Sequence, residues 1–323
     1  MIRNGLLFGL AVGLAMTLGA VANAADTPAT AGTPIYADKG EQTCLKCHDD
    51  APLTEIFKTP HAVKGDARTP AANHGCESCH GASPEHVASR PAKGEKKVLP
   101  TVRFSGPNAS PVADRNAVCL TCHENTNRIN WQGSKHDTND VACTTCHTVH
   151  AAKDPVLVKA TQPDTCFSCH ARQRAESFEL SHHPVREGKV ACADCHNVHG
   201  APGPKMLKEF TLNETCYTCH ADKRGPLLWE HEPVREDCST CHTAHGSTQV
   251  ALLKRRPSFL CVSCHQNGGH QSSVFGGSVL PGSPTVQPNN VGAVSTRVLA
   301  RGCVNCHSQI HGSNNPQGGF FTR

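Results

Sequence analysis

Every cysteine in this chain is committed to one spacing. The 20 cysteines form ten Cys-x-x-Cys pairs, and a histidine follows each pair directly. The motifs are Cys44/Cys47/His48, Cys76/Cys79/His80, Cys119/Cys122/His123, Cys143/Cys146/His147, Cys166/Cys169/His170, Cys192/Cys195/His196, Cys216/Cys219/His220, Cys238/Cys241/His242, Cys261/Cys264/His265 and Cys303/Cys306/His307. A disulfide framework, the usual fate of a cysteine-rich exported chain, leaves the histidines unexplained. Zinc sites use Cys-x-x-Cys pairs but do not need a histidine after every second cysteine. Cys-x-x-Cys-His is the c-type haem attachment signature: the thiols add to the two haem vinyl groups, and the adjacent imidazole becomes the proximal iron ligand. The expectation is ten covalently bound haem c groups, with no thiol left for a disulfide.

That expectation dictates the fold class. The chain has 323 residues, yet hydrophobic residues, cysteine included, make up only 37% of it. With the cysteines spent on cofactor, too little apolar material remains for two conventional cores. At roughly 30 residues per haem, the porphyrins themselves must form the interior. The expected architecture is a multihaem cytochrome c, an elongated array of mostly coil and short α-helices with negligible β-structure. Intervals between first cysteines of 32, 43, 24, 23, 26, 24, 22, 23 and 42 residues read as five two-haem repeats. The motifs of 44–80 come first, a dense central array spans 119–265, and the last motif sits at 303–307. Segments 81–118 and 266–302, the latter rich in Gly, Ser, Pro and Asn, are expected to be long surface loops. Short helices are expected where Asp164 and Asn213 cap the entry to a motif. Leu227-Leu228-Trp229 reads as an apolar patch against haem.

The occupant of each iron's sixth position separates an electron carrier from an enzyme. Met206 is the one methionine beyond residue 24, so methionine can serve one haem at most. Twelve histidines lie outside the motifs. One follows each odd motif at moderate distance: His61, His136, His183 or His182, His231 and His270. One follows each even motif closely: His86, His150, His199, His245 and His311. A histidine three residues past a proximal ligand lies on the same side of that haem, so the close ones should reach over to a neighbouring haem and clamp the pair. His74 is surplus, a surface residue or a propionate contact. His183 matches the spacing of His61 and His136, whereas the string His182-His183-Pro184-Val185-Arg186-Glu187, set beside His231-Glu232-Pro233-Val234-Arg235-Glu236, favours His182. Ten six-coordinate irons offer no open substrate position, and no Cys-x-x-Cys-Lys variant occurs. The chain is expected to transfer electrons without bond chemistry at iron.

Residues 1–24 read as a cleaved signal peptide: Arg3, then an apolar run from Leu6 to Val21, then Ala22-Asn23-Ala24 before the cut. The run is shorter than a spanning helix needs, and nothing after it is long and apolar enough to span as one. The exported part, 25–323, is expected as one cytochrome domain. The formal charge is +4, but two propionates per haem bring the holoprotein to about −7 when oxidised. No basic run tracks a phosphate backbone, so nucleic acid is not an expected partner.

The stretches HDTNDVACTTCHTVHAAKDPVL (136–157), NETCYTCHADKRGPLLWEHEPV (213–234) and RGCVNCHSQIHGSN (301–314) resemble the MtrA-type decahaem cytochromes, whose relatives include MtoA, PioA and DmsE. The resemblance implies His61, His86, His136, His150, His199, His231, His245, His270 and His311 as distal ligands, and it favours His183 over His182. It also implies a conduit enclosed by an outer-membrane β-barrel. Such a conduit passes electrons between a periplasmic or inner-membrane cytochrome and an extracellular multihaem cytochrome, for reduction or oxidation of extracellular metal such as iron. Irregular backbone cannot face lipid, so a crossing of the ~30 Å hydrocarbon core needs such a sheath. Two other readings compete: a soluble periplasmic shuttle or donor to an outer-membrane reductase of the DMSO type, and a multihaem reductase of nitrite or a sulfur oxyanion.

Overall fold

The computed structural model describes residues 33–92, 94–265, 303–305, 307–316, 318, 319 and 321. The chain divides into two units, Met1–Ile35 and Tyr36–Arg323, and of the first only residues 33–35 are described. The expected signal peptide, the loop 266–302 with His270, and Cys306 lie outside the described residues.

The Cys-x-x-Cys-His string folds the same way at each of its ten occurrences. The backbone N–H of the motif histidine donates to the carbonyl of the first cysteine, at 2.9–3.1 Å, so each motif closes a single α-turn. That turn places both thiols and the imidazole root within one helical revolution. Around these turns the chain forms α1 (Glu41–Cys44), α2 (Glu77–His80), α3 (Pro84–Ala88), α4 (Val112–Leu120), α5 (Cys143–Cys146), α6 (Gln162–Phe167), α7 (Ala171–Glu176), α8 (Cys192–Cys195), α9 (Leu212–Tyr217), α10 (Glu232–Glu236) and α11 (Pro257–Cys261). α4 is the longest of these, at nine residues. Helices this short are marginal on their own propensity, so their order comes from what they pack against. Among the described residues there is no strand, only isolated bridges such as Ser181 with Ser247 and Trp229 with Ser313. The expected fold class holds: a multihaem cytochrome of short helices and coil.

Side chains do not fill the interior. The buried apolar residues, among those described, are Trp131, Ala142, Ala191 and Leu207, while Leu180 and Phe210 are more than three-quarters exposed. What ties successive motifs together is polar. Asn116, buried three residues before Cys119, accepts from the backbone of Cys143 at 2.8 Å and donates to the Val141 carbonyl at 3.1 Å. Asn213, three residues before Cys216, repeats this with Cys238 and the carbonyls of Val234 and Arg235. Gln162 does the same between Val156 and Ala193. Each amide staples an odd motif to the even motif that follows.

Two local expectations need correction. Asn213 does not cap α9, because its side chain is spent on that staple; Thr211 caps instead, accepting from the Glu214 N–H at 3.1 Å. Asp164 likewise lies in the first turn of α6, not at its cap, which is Thr161. Segment 81–118 is no plain loop: it contains α3 and most of α4, and its carbonyls receive two histidine rings described below.

Candidate functional site

The imidazoles stand in facing pairs. Ring centroids lie 6.0–6.4 Å apart for His48–His86, His61–His123, His80–His150, His136–His170, His147–His199, His183–His220, His196–His245, His231–His265 and His242–His311. Each pair joins one motif histidine to one histidine from outside the motifs. A metal–imidazole bond is about 2 Å, and a ring of ~1.33 Å bonds has its nitrogens a little over 1 Å from its centre. Two imidazoles sharing one metal therefore stand about 6 Å apart, which is the spacing found. Among the described residues no group of three or more His, Cys, Asp or Glu could hold a bare metal ion. Two axial nitrogens per site, beside a pair of thiols, is the donor set of a metal whose equatorial ligands come from a macrocycle. The residues fit haem c.

The pairing follows a rule that sequence distance does not reveal. Close histidines skip a motif: His150, after motif 4, faces His80 of motif 2, and His199, His245 and His311 face motifs 4, 6 and 8 in the same way. The histidines after odd motifs reach forward by two: His61, His136, His183 and His231 face motifs 3, 5, 7 and 9. His86 faces motif 1, its immediate neighbour. The expected clamp between adjacent haems is therefore found only there; elsewhere the span is next-but-one.

Hydrogen bonds orient the rings. His80, His86, His136, His150, His183, His196, His231 and His242 each point Nδ1 at a backbone carbonyl, at 2.7–3.1 Å. An Nδ1–H spent on a carbonyl leaves Nε2 as the bare nitrogen that a metal requires. Several acceptors are distant in sequence: Val198, Ala244 and Ile310 each immediately precede a close histidine of another pair. One pair's orientation thus depends on the backbone that carries the next. Burial pushes His61, His80, His123, His196, His245 and His311 below the usual imidazole range, and His199 to about 4. These rings are held in the neutral, ligating form.

The two candidates at 182 and 183 are placed differently. His183 faces His220 at 6.3 Å and donates to Ala244. His182 has both nitrogens turned locally, Nδ1 to the Glu179 carbonyl at 2.8 Å and Nε2 toward Glu187 at 3.4 Å. His74 stacks flat on Tyr36, centroids 3.6 Å apart. Trp229 donates its indole N–H to the Asn315 carbonyl, and Leu227 packs against Gly312, so part of the 227–229 patch meets protein.

The thiols record which motifs are neighbours. Side-chain hydrogen bonds join the first cysteines of motifs 1 and 2, 3 and 4, and 5 and 6; they raise Cys44, Cys119 and Cys166 well above the usual thiol range. Their partners Cys143 and Cys192 are pulled down to about 7. Cys216 with Cys238, and Cys261 with Cys303, continue the series, with burial the larger cause of their upward shifts. Second cysteines make the alternate links: Cys79 feels Cys122, Cys146 feels Cys169, Cys195 feels Cys219 and Cys241 feels Cys264. The ten sites therefore run in chain order, neighbour to neighbour.

Cys47 corrects the expectation that every haem thiol lies within the interior. It is the second cysteine of the first motif, with no earlier motif to face, and its side chain is exposed. Cys44, not Cys47, makes that motif's link to a neighbouring thiol. What holds Cys47 beside Cys44 is the motif turn itself, in which its backbone N–H donates to the Cys44 carbonyl at 3.1 Å. The exposure follows from position, since the file begins here and nothing precedes it to cover this thiol.

Two glycines make room for the close packing of the inner motifs: a Cβ at Gly200 or Gly246, each directly after a close histidine, would collide with the carbonyl of Asn130 or Glu176. Sequence reasoning passed over both glycines, although the recurring His-Gly pair was visible.

Comparison with known proteins agrees with this arrangement. The doubled CXXCH motif model matches residues 182–225 and 231–270, the cytochrome c-type protein NrfB-like model 76–161, and the cytochrome c554 and c-prime model 18–81. The multihaem cytochrome MtrA of Shewanella baltica (strain OS185) is 43% identical over 289 residues, 89% of this chain and 83% of that protein. The chain belongs to the MtrA family of multihaem cytochromes. The polyhaem c-type cytochrome OmcB of Geobacter sulfurreducens is 22% identical over 277 residues, but the match spans only 26% of that longer protein. Membership of the MtrA family makes this an electron-transfer cytochrome with covalently bound haem c. Among the described residues of this MtrA-family chain, no helix is long and apolar enough to cross a membrane.

Proposed function

We propose that this protein is a ten-haem conduit that passes electrons in motif order through an outer-membrane β-barrel, for reduction or oxidation of extracellular metal. The observation that carries it is the file of histidine pairs, each at the spacing of two imidazoles on one metal and each beside the next in chain order. Bound haem supplies a one-electron iron couple, and the protein's own residues do the rest. The ten motif histidines take one axial position. His61, His86, His136, His150, His183, His199, His231, His245 and His311 take the other, and His270 completes the set opposite His307. Imidazoles on both faces leave no substrate position, so the chain carries electrons and is not an enzyme. The carbonyls that receive Nδ1–H hold each ring in one tautomer and one orientation, which limits reorganisation when charge passes.

Residues 1–24 direct export and are removed, and 25–323 form the cytochrome domain. The partners are a porin-like barrel, an extracellular multihaem cytochrome, and a periplasmic or inner-membrane cytochrome. Irregular backbone of this kind needs a sheath to cross lipid, since its amides would otherwise be unsatisfied. Detergent extraction of washed outer membranes, followed by haem-stained purification, tests the reading. Stoichiometric travel with a β-barrel protein supports it. Release of all the haem-bearing protein with the periplasmic fraction replaces it with the soluble shuttle.

A further inference from the structure

We infer that Asp154 lowers the redox potential of the fourth site in the file, setting it apart from its neighbours. The inference rests on the reading of His147 as an axial ligand. Three even motifs share one local frame: Asp154-Pro155-Val156-Leu157-Val158-Lys159 after His147 corresponds to Gly203-Pro204-Lys205-Met206-Leu207-Lys208 after His196, and to Gln249-Val250-Ala251-Leu252-Leu253-Lys254 after His242. In the second and third frames the backbone turns left-handed at Lys205 (φ 54°) and Met206 (φ 57°), and at Ala251 (φ 54°) and Leu252 (φ 57°). This turn aims the carbonyls of Lys205 and Ala251 at the motif histidine, whose Nδ1–H they accept at 3.0 and 2.8 Å. Non-glycine residues held in this region carry a cost of about 1–3 kcal/mol each, so the acceptor is placed against strain.

The first frame discards that device. Val156 and Leu157 lie in an ordinary 3-10 turn, Pro155–Leu157. The acceptor is now the Asp154 carboxylate, with Oδ2 at 2.7 Å from His147 Nδ1. Its other oxygen accepts from the backbone N–H of Thr148 at 3.2 Å and of Val156 at 3.4 Å. The side chain is only 14% exposed, so its charge is weakly screened. The other carboxylate near an Nδ1, Glu176 beside His245, stands 3.6 Å away, beyond hydrogen-bond reach, and Arg172 holds it at 2.7 Å. Among the described pairs, His147 is the ring that donates to a charge.

A carboxylate acceptor strengthens imidazole as an electron donor, and its negative charge favours the oxidised state of the site it faces. The change is one electron in or out, with the Nδ1 proton staying on the ring. The fourth site, between the third and fifth in the file, is then the harder to reduce of the three even sites that share this frame.

The test is an optical redox titration of the holoprotein carrying Asp154→Asn, which keeps a neutral oxygen for the turn and removes the charge. The expected result is that one component, about a tenth of the haem absorbance for ten motifs, moves to higher potential while the rest superimpose. A titration identical to wild type, with mass and spectrum showing every haem bound and low-spin, overturns the inference and leaves the ligand reading intact. Alkylation of Cys143 and Cys146 in the native wild-type protein would show no haem there, and so overturn the reading beneath it. If the Asn variant does not assemble, Gln249→Asp puts a carboxylate at the matching place after His242. A component moving to lower potential supports the inference, and an unchanged titration overturns it.

Discussion

Removing the His199 imidazole should open one iron, and the structure says which one. His199 faces His147 with ring centroids 6.0 Å apart and planes 9° from parallel, although its nearest motif in sequence is that of His196. In His199→Ala the fourth site loses its distal ligand while its thiols and His147 remain. With one of ten sites affected, about a tenth of the low-spin signal should convert to high spin. The reduced protein should bind one carbon monoxide per chain, where wild type binds none. The methyl left behind also opens a gap beside buried Trp131, whose ring centroid lies 6.3 Å from His199; losing a side chain of that size costs about 2–4 kcal/mol. His182→Ala and His74→Ala are the controls, expected to bind no carbon monoxide. Combining His199→Ala with Asp154→Asn locates the opened site, since both changes should fall on a single component of the redox titration. Carbon monoxide binding by the wild-type chain, none by His199→Ala, or two separately displaced components in the double variant would refute the pairing.

Other consequences can be checked alongside. The His147, His196 and His242 pairs have ring planes within 16° of parallel, whereas the His123 and His170 pairs lie at 81° and 71°. Electron paramagnetic resonance of the oxidised protein should therefore show two low-spin classes, a rhombic one from parallel rings and a strongly axial one from crossed rings. Gly246→Ala drives a methyl into the Glu176 carbonyl, and overpacking of this kind should destabilise the fold by about 1–3 kcal/mol, measured as a lower thermal midpoint with the haem count unchanged. Asn213→Ala strands the Cys238 N–H and two carbonyls, which should cost about 1–3 kcal/mol in a denaturant titration; an exposed asparagine replaced in parallel should cost almost nothing.

The fold class was legible because one motif spends every cysteine and leaves no apolar core to explain. The family was legible for the same reason, through the strings around 136–157, 213–234 and 301–314. The motif spacing also gave the ordered, alternating placement of the spare histidines. Which ring faces which was not legible. His-x-x-His shows only that a close histidine cannot serve its own site, and chain distance suggested the adjacent site; yet His199 sits opposite His147, two motifs back. The capping expectation failed at Asn213 for a related reason, because a local hydrogen bond lost to one with Cys238, 25 residues away. Nor does the motif tell an end of the file from its middle: Cys47 reads like any other second cysteine, yet it is exposed where Cys146 has a neighbouring motif against it. At Asp154 the local string shows an acid where the other frames have Gly203 and Gln249, but only the 2.7 Å contact shows what it faces.

The next-but-one pairing changes what the repeat means. In a stacked-repeat protein each unit contacts its neighbours but owns its own residues. Here each boundary between the inner two-motif units is crossed by ligand pairs in both directions. His136 reaches forward to His170 while His199 reaches back to His147, and His183 reaches forward to His220 while His245 reaches back to His196. The acceptor carbonyls add a second layer, since Val198 orients His136 and Ala244 orients His183. No inner unit can complete its irons alone, so the number of repeats cannot drift by one without uncapping a site on each side of the cut. A chain ending before residue 301 should therefore lose more than the tenth haem. Without His311, the site of His242 opens as well, and His231 loses the Ile310 carbonyl that orients it toward His265. Such a truncation should bind carbon monoxide at the His242 site. One that stays fully low-spin with nine haems would mean that the units are self-sufficient and that the interlocking described here does not hold.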